Sequence, residues 1–334
     1  MTNTRTKNEI SLMYIFFCAF VVMTNLIMST LPEISGHSFI YSVINTIRIL
    51  IACGVHGFAF IGGYRLGMEN STVSVKNFFL KIKRIIFPFI IAVIVFWMFL
   101  TVLGEAEIKP DALLKIATGY HFYIVIIQIQ FMLLSAFAGK LMNRVNMYVA
   151  ITLALVVSLL SVTLLPARIH KLIFSSYLVC YVTGFYTGKK YNSVCNIIKS
   201  DFAKIVFFYV VSLIITESLS IIYAFSSNVP EVVIKQIATG IYNPVAVIFI
   251  MSVCIRTADK DFCISPLFKA YRRSGYYVFL WHMLPIAISG IVLIDSEEVS
   301  ELGSFVIKTV ATIFIIAVVL CIAHIKERKS NGTV

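Results

Sequence analysis

Charge is scarce in this chain of 334 residues: Asp, Glu, Lys and Arg make up 13% of it, against 59% hydrophobic residues and a mean hydropathy of +0.92. Soluble domains run near a quarter charged and half apolar, so a chain this poor in charge cannot hide its apolar side chains from water, and the surplus must face lipid. Acid is scarcer than base, 16 residues against 28, for a net charge of +12. The basic residues are spread over short stretches beside apolar runs. That is the positive-inside bias of a membrane protein, and it argues against a nucleic-acid partner. The seven cysteines include no CxxC pair, so neither a disulfide framework nor a zinc site is supported, and no metal is expected. Internal repeats, low-complexity tracts and linkers are absent too, so residues 1–334 read as a single membrane domain. Behind Arg5 and Lys7 the first apolar run lacks the small-x-small exit of a cleaved leader and reads as a retained first helix.

What is there is a succession of apolar runs: 10–31, 41–64, 85–104, 119–138, 147–166, 173–187, 205–224, 233–255, 274–294 and 303–324. They predict an all-α, polytopic integral membrane protein of about ten transmembrane helices, the sixth being short for the hydrocarbon thickness. Lys and Arg count 21 on the side of the N-terminus, the even-numbered loops and the C-terminal tail, and five on the other, counting Lys235 at the outer edge of the eighth run; Arg48 and Lys308 lie farther within spans. This split puts both termini in the cytoplasm of a cell-membrane protein. The outer loops are acid-rich instead, with Glu105, Glu107 and Asp111, then Asp295, Glu297, Glu298 and Glu301.

A charge inside a span costs several kcal/mol unless it is paired or faces water. Arg48 in the second run and Glu217 in the seventh are therefore candidates for a polar cavity, or else for a structural ion pair or a side chain reaching the interface. Lys308, near the outer end of the last run, is expected to snorkel. His56 and His282 lie well inside spans. A neutral imidazole can act as a general base near physiological pH; the bland reading is a core histidine bonded to a neighbouring helix. His121 opens the fourth run among aromatics, and His37 and His170 are in outer loops. Asn25 and Asn243 are buried amides that line a cavity or bond neighbouring helices. The basic cluster Lys81, Lys83 and Arg84 ahead of Pro88 suits lipid headgroups or an acidic phosphorylated donor.

Several segments, in order, resemble the acyltransferase-3 family of ten-helix membrane acyltransferases, in particular its branch serving intercellular-adhesin polysaccharide. They are Lys83-Arg84-Ile85-Ile86-Phe87-Pro88, Tyr120-His121-Phe122-Tyr123-Ile124-Val125 with Gln128-Ile129-Gln130-Phe131, Tyr181-Val182-Thr183-Gly184-Phe185-Tyr186-Thr187-Gly188, and Ser274-Gly275-Tyr276-Tyr277-Val278-Phe279-Leu280-Trp281-His282. Gly184 and Gly188 are four apart and share a helix face that admits a neighbour closely. The resemblance covers about residues 10–290. It implies transfer of an acetyl or succinyl group from acyl-CoA, as co-substrate, to a hydroxyl of a cell-envelope glycan or exopolysaccharide. The acceptor is then a glycan or lipid-linked glycan, with a polysaccharide synthase or export partner nearby.

One departure matters. The family's first helix carries an arginine and, about three turns later, a histidine central to transfer; Tyr14 and Asn25 stand there in this chain. Asparagine cannot serve as a general base. His56, on the adjacent helix, is then the expected base, with His282 as a further catalytic candidate, and Arg48 holds donor phosphate or the developing oxyanion. His56 is eight residues from Arg48, two turns away on nearly the same helical face, which puts a base and a cation along one wall of a channel. Glu217, His121, Tyr14, Asn25, Lys83 and Arg84 are expected to bind substrate, in a cavity among the first, second, seventh and ninth helices. The rival expectation is a catalytically lapsed relative that exports or flips a glycan.

Overall fold

The computed structural model describes residues 4–30, 39–69, 75–119, 121–170, 172–225, 231–258, 265–294 and 301–330. Asp295, Glu297, Glu298, Cys263, His37 and Tyr120 fall outside these residues. The regular elements are helices: α1 Thr4–Thr30, α2 Phe39–Ile51, α3 Gly54–Glu69, α4 Val75–Val102, α5 Pro110–Thr118, α6 Tyr123–Arg144, α7 Met147–Leu164, α8 Ala167–His170, α9 Leu178–Lys189, α10 Tyr191–Ser200, α11 Phe202–Phe225, α12 Glu231–Thr257, α13 Pro266–Trp281, α14 Met283–Ile294 and α15 Glu301–Ser330. The chain is an all-α polytopic membrane protein. Among the described residues seven helical stretches are long and apolar enough to cross a membrane, or eight if Pro110–Thr118 and Tyr123–Ala136 form one broken span. Pairs such as Phe207 and Phe208 on α11 or Ile313 and Phe314 on α15 are more than 60% exposed. Only lipid makes that arrangement tolerable.

Three of the ten expected spans differ: the fourth, 119–138, counts only as part of the broken pair, and two others differ for reasons the local sequence supplies. The run 173–187 is a 3-10 turn, Phe174–Tyr177, followed by the 12-residue α9, too short to cross alone. The run 274–294 is broken at His282. Pro285 has no N–H to offer the Trp281 carbonyl, and its ring crowds that oxygen, so α13 stops and α14 starts anew. The second run, still one candidate span, is interrupted as well: Ala52 and Cys53 form a turn between α2 and α3. Caps mark the starts of α7 and α13, where Asn146 accepts from Tyr148 N at 2.9 Å and Ser265 from Phe268 N at 3.2 Å.

The chain forms two compact units, one made of 1–13, 55–82 and 124–259, the other of 14–54, 83–123 and 260–334. In the first unit α7 packs on α9 and α12, and α12 on α11. Its tightest crossing joins α3 to α9. A Cβ added at Gly63 would lie 1.9 Å from Tyr181 O, and one at Gly67 2.1 Å from Phe185 O. Reciprocally, one at Gly184 would lie 2.2 Å from Phe60 O, and one at Gly188 2.1 Å from Tyr64 O. Each helix contributes two glycines four residues apart, so backbone meets backbone with no side chain between. The 184/188 spacing thus does admit a neighbour, and that neighbour is α3. In the second unit α13 and α14 both pack on α15.

Candidate active site

A helix that ends leaves its last carbonyls without backbone donors. In the second unit the end of α13 is therefore a ready acceptor. The His282 N–H still reaches Val278 O at 3.1 Å, but the next two carbonyls receive side chains. His282 Nδ1–H donates to Phe279 O at 2.7 Å, and His121 Nε2–H donates to Leu280 O at 3.1 Å.

Those two bonds set the tautomers, because a carbonyl only accepts. With its proton on Nδ1, neutral His282 presents a lone pair at Nε2, and Asn25 Nδ2–H of α1 donates into it at 2.9 Å. With its proton on Nε2, His121 carries its lone pair on Nδ1, which is buried and has no hydrogen-bond partner among the described residues. The ring centroids are 4.7 Å apart. His282 is fully buried and His121 is 1% exposed, with Phe122 and Phe279 rings beside them. The result is two neutral imidazoles, each with one lone pair, in a dry aromatic setting. Non-helical backbone at membrane depth is tolerated only where protein or a cavity surrounds it, which is how both histidines sit: His282 between two helices, His121 just ahead of α6.

Along α1, three and four residues beyond Asn25, two cations meet the same helix face. Arg48 Nη1 donates to Met28 Sδ at 3.7 Å, and Lys308 Nζ donates to Ser29 O at 3.0 Å. Lys308 was expected to snorkel; instead it is 1% exposed, and a Cβ at Gly290 would be 3.9 Å from its Cε. The physical reason is the end of α1: its last carbonyls are orphaned and carry the negative end of the helix dipole, a better partner for an ammonium than a distant interface.

The first unit holds a second pair. His56 Nε2 accepts from Asn243 Nδ2–H at 3.2 Å, and the Tyr177 ring lies 4.9 Å from the imidazole. The turn at Ala52 and Cys53 divides the second run, so Arg48 lies on α2 and His56 on α3. Glu217 is half-buried on α11 of the first unit, with Oε1 unpartnered among the described residues. Tyr14 is 37% exposed on α1, and Lys83 and Arg84 are exposed on α4. The first unit also has an open recess of about 440 Å³ lined in part by Lys189, Lys190 and Tyr191. At Tyr191 burial first, then Cys195 and the Glu9 carboxylate, push the phenol above its ordinary value, so it stays protonated and donates to both Glu9 oxygens at 2.9 Å.

Of the expected site residues, the structure thus brings Asn25, His121 and His282 together and places Arg48 one turn away. Sequence reasoning gives Lys308 no role in a site and passes over the fully buried Glu9. The overlooked signal for Lys308 is its isolation: one lysine in an apolar run with no basic neighbour. A family model described as an acyltransferase domain matches residues 7–324. No curated protein and no solved structure matches the chain.

Proposed function

The chain belongs to the acyltransferase-3 family, and from that premise we propose that it transfers an acetyl or succinyl group from acyl-CoA to a hydroxyl of a cell-envelope glycan, with His282 as the general base. The observation that carries this reading is the Asn25–His282 pair: a buried imidazole whose Nδ1–H is committed to Phe279 O, and whose Nε2 lone pair is held by an exchangeable amide. The position that lacks the family's first-helix histidine is still engaged with an imidazole. It reaches one supplied by α13.

The step balances simply. The acceptor hydroxyl displaces the Asn25 amide from Nε2 and gives up its proton there as its oxygen attacks the thioester carbonyl. The tetrahedral intermediate collapses with loss of the CoA thiolate, which takes the proton back from the imidazolium. A half-turn of the Asn25 amide presents Oδ1 instead of Nδ2–H, so the same side chain bonds the protonated ring during the step. Acyl-CoA enters from the cytoplasmic side. Lys83 and Arg84 suit its phosphates. This orientation has both termini in the cytoplasm of the cell membrane. External cysteine labelling is then expected at residues 105–118, and labelling at 75–80 in intact cells contradicts it.

The rival reading, a lapsed relative that exports or flips a glycan, rests on Asn25 standing where a histidine is expected. Mass analysis of the surface polysaccharide with and without the gene separates the two. A lost acyl mass on a glycan secreted in normal amount supports transfer. Lost secretion with unchanged decoration supports transport.

A further inference from the structure

Arg48 is a partly buried charge inside an apolar span of the second unit. Its guanidinium has five N–H donors, yet among those residues its one hydrogen bond is to a thioether at 3.7 Å, and its buried Nε has no partner. A span does not tolerate such a cation without a counter-charge or water. One turn back on the same face of α2, Asn45 Oδ1 is likewise buried and unpartnered. Across from Arg48, at the adjoining residue of α1, Lys308 donates to Ser29 O, and one turn before Lys308 on the same face of α15 is Ser304. Ser304 is 5% exposed, and its hydroxyl has no partner among the described residues. Two cations, a spare hydroxyl and a spare amide oxygen thus border the last turn of α1. Met28 and Ser29 lie about 5–6 Å beyond Asn25 along one helix face.

We propose that the last turn of α1, with Arg48, Lys308, Asn45 and Ser304, is a binding site for an anionic sugar residue of the acceptor, its carboxylate or phosphate held by the two cations. The inference rests on the transfer reading above for calling the ligand an acceptor, but not for the site itself. The donor set decides the class. Arg48, Lys308 and the Ser304 hydroxyl supply N–H and O–H groups to anionic oxygens. Asn45 Oδ1 needs a donor in return, which a sugar hydroxyl offers and a bare anion does not. The spacing then sets a hydroxyl near His282 Nε2 while the charge is anchored about one helical turn away. The same oxygen chemistry is present in the free carboxylate of a dicarboxylic acyl group, so the test must tell the two sources apart.

The test uses the full-length protein in lipid nanodiscs and reads binding directly, without turnover. The probes are trigalacturonate and its carboxyl-reduced neutral counterpart. Trigalacturonate is expected to bind more tightly by about thirtyfold or more, the scale of a desolvated charge pair. Arg48→Gln and Lys308→Gln are each expected to erase most of that preference. Because Lys308→Gln also removes a buried bond to α1, Arg48→Lys serves as the control that keeps charge, and it is expected to keep part of the preference. Equal affinity for the two trisaccharides, including no binding of either, or an unchanged preference in Arg48→Gln, overturns the proposal. If the wild type instead discriminates succinyl-CoA from acetyl-CoA, and Arg48→Gln abolishes that discrimination alone, the charge belongs to the acyl group and the acceptor assignment is overturned. Tight trigalacturonate binding without any acyl transfer leaves the anion site standing and removes the catalytic reading.

Discussion

Each unit of the molecule holds one histidine joined to one asparagine amide, Asn25–His282 in the second and Asn243–His56 in the first, and the backbone around them differs. His282 sits between two helices, its ring fixed by a carbonyl that the break at Pro285 exposes, with a second imidazole 4.7 Å away. His56 lies in the first turn of a helix whose same face, seven and eleven residues on, carries the Gly63 and Gly67 crossing, and it packs on Tyr177. The residue types are the same. What separates them is whether the surrounding chain leaves spare acceptors and lone pairs, as at a helix interruption, or commits the side chain to joining packed helices.

The comparison is broken most severely by exchanging the histidines' fates. His282→Ala is expected to lower acyl transfer by about 10²–10⁴, the contribution of a positioned base, with the amount of protein in the membrane unchanged. His56→Ala is expected to lower thermal stability and to leave most of the transfer rate; the opposite pattern moves the chemistry to the first unit. The crossing should be nearly as sensitive in stability as the base is in rate. Gly63→Ala forces a Cβ to 1.9 Å from Tyr181 O, whereas at the adjacent Gly62 the same Cβ meets only the Tyr181 ring at 3.6 Å. Unfolding of purified protein in detergent should show a loss of about 1–3 kcal/mol or more at Gly63 and little at Gly62. Equal melting temperatures for the two variants would mean α3 and α9 do not meet at their glycines.

The amides sharpen the comparison further. Asn25→Ala leaves His282 Nε2 without its holder and is expected to lower kcat about tenfold with KM unchanged, about 1.4 kcal/mol, the scale of one buried hydrogen bond. Asn243→Ala is expected to change kcat little and stability by about 1 kcal/mol. Steady-state kinetics on both variants decide it; a larger kcat effect at Asn243 contradicts the assignment. The smallest effect belongs outside both pairs. The exposed Lys204–Asp201 pair holds that carboxyl below its usual value, through its bond to Lys204 first and Ser200 second. A depressed carboxylate stabilises above its unfolded value, and that contribution fades as pH falls through the folded one. Lys204→Ala is expected to shift the melting temperature barely measurably, and only at neutral rather than acid pH.

Much of this architecture is legible in the amino-acid order alone. The scarcity of charge demands lipid, the apolar runs mark the helices, and Gly184 and Gly188 announce a close crossing, because each is a local property of the chain. What resists such reading is the interruption of runs. The turns at Ala52 and Cys53 and at His282 are too short to dent a hydropathy window, yet the second decides that His282, Asn25 and His121 share a site. The partnership of Asn25 with His282 joins residues 257 apart, so no spacing rule reaches it. Asn25 reads as a loss when the family's histidine is sought on the same helix. Lys308 reads as interfacial because the orphaned carbonyls at the end of α1 become its partners only once α15 has packed. Pro285 is the one local clue to the break, and its consequence is felt three residues earlier, at the imidazole.

The central claim, that the imidazole at 282 performs the chemistry, is tested most directly by chemical rescue. His282→Gly and His56→Gly are purified under identical conditions, and transfer from acyl-CoA to the acceptor glycan is measured with and without added imidazole. The account predicts that His282→Gly is inactive alone and regains transfer as imidazole rises, while His56→Gly retains activity that imidazole does not change. An inactive His56→Gly restored by imidazole, beside a His282→Gly that still transfers, would contradict it.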